Sequence, residues 1–113
     1  MRLQEQQAAF ARDVAKLINW IFDNGFSVTF GEAYRTQEQA DIYAKEGKGI
    51  KDSLHCKRLA VDLNLFDHEG HFLQDKSDYK EFGIFWEGLN PLNKWGGNFP
   101  RIDCVHFERR EHE

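Results

Sequence analysis

Nowhere in its 113 residues does the chain hold the ~20 consecutive apolar residues that a bilayer-spanning helix needs, which argues against stable membrane insertion. Basic clusters are missing too. The longest are the pairs Lys57-Arg58 and Arg109-Arg110, and the formal charge is −4. A nucleic-acid partner, which demands a clustered basic face, is excluded. There are only two cysteines, Cys56 and Cys104, far apart and without C-x-x-C spacing. They read as small buried residues rather than a disulfide or metal ligands. The stretch Met1-Arg2-Leu3-Gln4-Glu5-Gln6-Gln7 has no apolar run of a secretory signal, so the expectation is synthesis in the cytoplasm.

What is present fits one soluble domain spanning residues 1–113. Hydrophobic residues make up 41% and charged residues 30%, and a chain of this size can bury roughly two-thirds of its unfolded surface. Phe10, Val14, Leu17, Ile18 and Ile21 recur at helical spacing and predict a helix from about Leu3 to Asn24, stopped by Gly25. Phe26 to Phe30 alternates like a strand and continues loosely to Tyr34. Thr36 with Gln39 makes a capping-box start for a second helix to about Lys45. Residues 46–52 form a glycine-containing loop. Leu59 to Phe66 is the most strand-like run, followed by a turn at Asp67-His68-Glu69-Gly70 and a return strand, His71-Phe72-Leu73. His68 and His71 read as solvated turn residues, not a second metal site. A third helix follows Ser77, carries Tyr79, Phe82, Phe85 and Trp86, and ends before Pro91. Loop residues 95–100 precede a last strand, Cys104 to Glu108. The order predicts an α+β fold, helices packed on a small antiparallel sheet.

Three stretches carry chemistry: Ser53-Leu54-His55, Ala60-Val61-Asp62 and Asp103-Cys104-Val105-His106. Two imidazoles and a carboxylate suit an open zinc site, since catalytic zinc keeps three protein ligands and one free position. Alternation puts Ala60, Asp62 and Asn64 on one strand face and Val61, Leu63 and Leu65 on the core face. Asp62 is then either a ligand or a solvated or capping carboxylate, and His106 either a ligand or a core histidine. Asp103 and His106 are separated by an odd number, so both reach one site only if the strand starts after Asp103 or contains a bulge. Trp95 reads as a wall of a cleft, with Gly96-Gly97 admitting a substrate backbone, or as a core residue, and the two are compatible.

The run Ser53-x-His55-x-x-x-x-Ala60-x-Asp62 resembles the S-x-H-x-x-G-x-A-x-D signature of the LAS zinc peptidases. Trp95-Gly96-Gly97-Asn98-Phe99 and Asp103-x-x-His106-Phe107-Glu108 resemble the second half of its small endolysin-like branch, the whole likeness running from about Phe26 to Glu108. That resemblance implies a D-Ala-D-Ala-peptidase-like (hedgehog-like) fold, with Zn2+ held by His55, Asp62 and His106. It implies Asp103 as catalytic base and acid, and Arg35 as the residue that holds substrate or steadies the oxyanion. Ser53 and Trp95 fall on the substrate side. The implied activity is L-Ala–D-Glu cleavage in the peptidoglycan stem peptide, with D-Ala-D-Ala carboxypeptidase and a non-catalytic zinc module as alternatives. A monomer of phage or prophage origin, acting on the wall after release, is the matching expectation. Two departures stand out. Arg58 replaces the signature glycine and is strained if that position has positive φ, with a substrate contact as its possible use. Glu108 falls where some relatives carry a second histidine, and reads as a partner behind a ligand.

Overall fold

The structure is a computed structural model and describes residues 1–112. It contains α1 (Leu3–Asp23), β1 (Ser27–Phe30), α2 (Gln37–Lys45), β2 (Ala60–Phe66), α3 (Lys76–Leu89), β3 (Asn93–Trp95) and β4 (His106–Arg109), with short 3-10 helices at Leu54–Lys57 and Gly96–Asn98. The strands form one antiparallel sheet in the order β1-β2-β4-β3. This is the expected α+β architecture.

Alternation along β2 sends Val61, Leu63 and Leu65 to the core face, where they pack with Phe107, Trp95 and the apolar stripes of α1 and α3. Phe10, Leu17 and Ile21 of α1 are buried, as are Tyr79, Phe82 and Trp86 of α3. Each fully buried side chain of this size contributes about 1.5–3 kcal/mol. Thr36 caps α2 by accepting from the Gln39 N–H at 3.1 Å. Asp13 of α1 is also buried and accepts from Asn93 Nδ2 at 3.0 Å, a polar pair that the apolar pattern of α1 does not reveal.

Three expectations need correction. The return strand after the Asp67–Gly70 turn shrinks to a single bridge, Phe66 with Phe72. The reason is Tyr79: its hydroxyl accepts from the Leu65 N–H at 3.0 Å and donates to the Leu73 carbonyl at 2.8 Å, taking the place of further ladder bonds. The loop expected at residues 95–100 gives up Trp95 to the strand Asn93–Trp95, a strand of three residues that is too short to show a period in the sequence. The last strand begins at His106 rather than Cys104. Cys104 and Val105 lie in a turn closed by the His106 N–H to the Asp103 carbonyl at 3.1 Å.

β1 ends at Phe30, yet its pairing continues irregularly. Gly31 N–H donates to the Asp62 carbonyl at 2.8 Å, and Asp62 N–H to the Glu32 carbonyl at 2.9 Å. That continuation brings Glu32 and Arg35 beside the middle of β2.

Candidate functional site

The sheet face opposite α1 and α3 carries the polar cluster. Asp62 and His106 are direct cross-strand partners, so their side chains share that face. Asp62 Oδ1 lies 3.3 Å from His106 Nδ1 and 3.4 Å from His55 Nε2. His55 sits on the 3-10 helix Leu54–Lys57, whose start is capped by Ser53 Oγ accepting from the His55 N–H at 3.2 Å. His55, Asp62 and His106 each offer a ligand atom, all within 4.8 Å of one another.

Each imidazole has a carboxylate behind it. His106 Nε2 lies 2.7 Å from Glu108 Oε1, and His55 Nδ1 lies 3.5 Å from Glu32 Oε1. Glu32 Oε1 in turn sits 2.6 Å from Arg35 Nη2. Both histidines thus turn one nitrogen toward Asp62 and the other toward a carboxylate, the arrangement that orients metal-bound imidazoles. Glu32 was not singled out in the sequence. Its one signal was an acid three residues before Arg35 on the extended stretch.

The donor set fits a divalent transition ion. Two imidazole nitrogens and one carboxylate oxygen match zinc's preference, and the three ligand atoms lie within 4.8 Å of one another.

Without an ion, the charged groups of the cluster hold one another away from their ordinary values. Burial acts to raise the Asp62 carboxyl but is outweighed by hydrogen bonds and charge from His106 and His55, which hold it at about 2. Burial acts to lower His106, yet Asp62 and Glu108 lift it to about 9. Glu108 is held below the usual range because His106 and Arg110 outweigh its burial. Asp103 goes the other way. The residue is exposed at the rim, but protein crowding its carboxyl, followed by the negative charge of Asp62, raises it despite His106, His55 and Arg101.

Asp103 reaches the site because β4 starts after it, which resolves the odd separation from His106. The turn is tight. Asp103 N–H donates to the Gly96 carbonyl at 3.0 Å, and a Cβ on Gly96 would meet the Asp103 carbonyl oxygen at 2.2 Å and His106 Cβ at 2.9 Å. A cleft of about 760 Å3 opens over the cluster, lined by Arg35, Ser53, His55, Asp62, Asp103 and His106 among others.

Trp95 is corrected to a core residue. It is 1% exposed, does not line the cleft, and its Nε1 donates to the Cys104 carbonyl at 2.8 Å. Gly83 and Gly97 exist for this indole: a Cβ at either would sit 2.2 Å from it. Gly97 therefore makes room for a tryptophan rather than for a substrate. Arg58 does have positive φ, +55°, and its guanidinium lies 4.0 Å over the Tyr34 ring. It lies outside the lining of the cleft over the cluster. His71 remains an exposed turn residue beside Asp67, and Cys56 and Cys104 are free and half-buried.

No helix among the described residues is long and apolar enough to cross a membrane. No family model matches the sequence, and no curated protein matches it. Among solved structures the chain is similar to the Serratia marcescens L-Ala D-Glu endopeptidase ChiX, at 17% identity and a TM-score of 0.71, over 96% of this chain and 86% of that one. At that identity the likeness is one of fold: the chain has the α+β fold of that endopeptidase.

Proposed function

We propose that the chain is a zinc-dependent peptidoglycan peptidase that hydrolyses the L-Ala–D-Glu amide of the stem peptide. The observation that carries this reading is the convergence of His55, Asp62 and His106 in a cleft that Asp103 shares. The fold of an L-Ala D-Glu endopeptidase supports it.

His55, Asp62 and His106 would hold the ion, with Glu108 beside the far nitrogen of His106 and Glu32 beside that of His55. Bound zinc supplies Lewis acidity, bringing the pKa of water down to ~7 and polarising an amide carbonyl. Asp103, its carboxyl raised by the protein crowded around it and by the charge of Asp62, takes a proton from the attacking water and returns it to the departing amine. Arg35 is 15% exposed at its side chain and offers a permanently charged fork to the carbonyl oxygen as negative charge develops there. Ser53 holds the His55 turn in shape. The reading places the protein at the cell wall, acting as a monomer.

Digestion of purified peptidoglycan followed by mass spectrometry tests the bond. New peptides beginning with D-Glu are expected. Loss of a single terminal D-Ala instead would assign a carboxypeptidase, and intact stem peptides would assign a non-catalytic zinc module.

A further inference from the structure

Four cationic side chains line the cleft: Arg35, Lys48, Arg101 and Arg110. Three of them face a carboxylate: Arg35 faces Glu32 at 2.6 Å, Lys48 faces Glu46 at 3.5 Å, and Arg110 faces Glu108 at 2.9 Å. Arg101 has no such partner within 4.0 Å among the described residues. Its one hydrogen bond runs from Nη1 to the Gly47 carbonyl at 3.2 Å, across to the loop that carries Lys48. A guanidinium has five donors, so this bond leaves most of its fork free and holds the side chain over the cleft mouth. Arg101 also precedes Asp103 in one loop, and its charge is felt at the Asp103 carboxyl.

We infer that Arg101 is a specificity-determining residue that binds a carboxylate on the substrate, on the leaving-group side of the scissile amide. The inference rests on the proposed function and deepens it. If Asp103 hands its proton to the departing amine, the residue bearing that amine lies against the Arg101–Asp103 loop. In an L-Ala–D-Glu bond whose D-Glu continues through its side-chain carboxyl, the free α-carboxylate sits one carbon from the departing nitrogen. That carboxylate suits a planar, charged fork. A substrate with the same carboxylate amidated offers no charge to Arg101.

The test compares two synthetic stem peptides that differ only in a free or amidated α-carboxyl on D-Glu. With zinc-loaded wild-type protein, kcat/KM should favour the free acid by about fivefold or more, the size expected of a partly exposed charge-assisted pair. In Arg101→Gln the ratio should fall toward one, and Arg101→Lys should keep part of it. A preference that persists in Arg101→Gln overturns the inference. So does an equal loss on both peptides, since a carboxylate contact cannot act on the amide. A wild-type protein that cuts neither peptide overturns the proposed function as well.

Discussion

Asp62 on β2 and His106 on β4 face one another across the sheet, with Oδ1 and Nδ1 3.3 Å apart. This pair joins the fold to the chemistry: the register that buries Val61 against Phe107 also brings a carboxylate to an imidazole on the opposite face.

Metal uptake should therefore release a proton. Without metal, His106 is lifted to about 9 by Asp62 and Glu108, so its ring is protonated at neutral pH, and an ion at Nδ1 must displace that proton. About one proton per ion is expected near pH 7, read by calorimetry in buffers of different ionisation heat. Affinity should climb as pH rises toward 9 and then level off. No buffer dependence would contradict the assignment of His106.

The metal-free protein should also show a matching stability profile. A raised His106 contributes fully below its ordinary value of 6.5 and loses that contribution as pH climbs through about 9. A depressed Asp62 contributes above its ordinary value of 3.8 and loses it as pH falls toward about 2. The Asp62–His106 contact is common to both and is counted once, with Glu108 adding to the first and His55 to the second. The thermal midpoint of the metal-free protein should peak between the two windows and decline on both sides. A midpoint rising from pH 7 to 9 would be the opposite sign.

Glu108→Gln should weaken zinc binding by roughly 10- to 100-fold, the usual cost of removing the carboxylate behind a ligating histidine. Competition with a chromogenic chelator reads this directly. An unchanged affinity would reduce Glu108 to a partner of Arg110.

Most of this architecture is legible in the sequence. The α1 stripe, the β2 alternation and the Thr36 cap are local patterns, and each appears where its period predicts. Asp103 needed the structure, because whether it shares the site depends on where β4 begins, and a turn at Cys104-Val105 leaves no periodic mark. Glu32 lies within the stretch expected to run loosely to Tyr34, but nothing in that stretch tells which side chain meets His55. Trp95 was ambiguous, since glycines flanking an aromatic residue fit equally a substrate wall and an indole slot. The contacts of Gly83 and Gly97 with the ring decide it.

Arg58 provides a test of backbone strain separate from the chemistry. At φ +55° a side chain costs roughly 1–2 kcal/mol relative to the right-handed region, a cost glycine escapes. Arg58→Gly and Arg58→Ala both lose the Tyr34 stacking, so their difference isolates the backbone. Urea unfolding should find the glycine variant more stable by about 1 kcal/mol. Alanine equal to or above glycine would contradict the left-handed assignment.

Asp103→Ala should keep bound zinc and lose turnover of wall fragments by roughly 10²- to 10⁴-fold, the span ascribed to a positioned proton carrier. Metal content and rate are measured on the same preparation. Turnover within a few-fold of wild type would remove Asp103 from the reaction.

The most direct measurement is zinc content after exhaustive dialysis, by elemental mass spectrometry, on the wild-type chain and on His55→Ala and His106→Ala. About one equivalent in the wild type and a marked loss in both variants are predicted. Less than about half an equivalent in the wild type, or full retention in either variant, would contradict the metal centre on which the proposed activity rests.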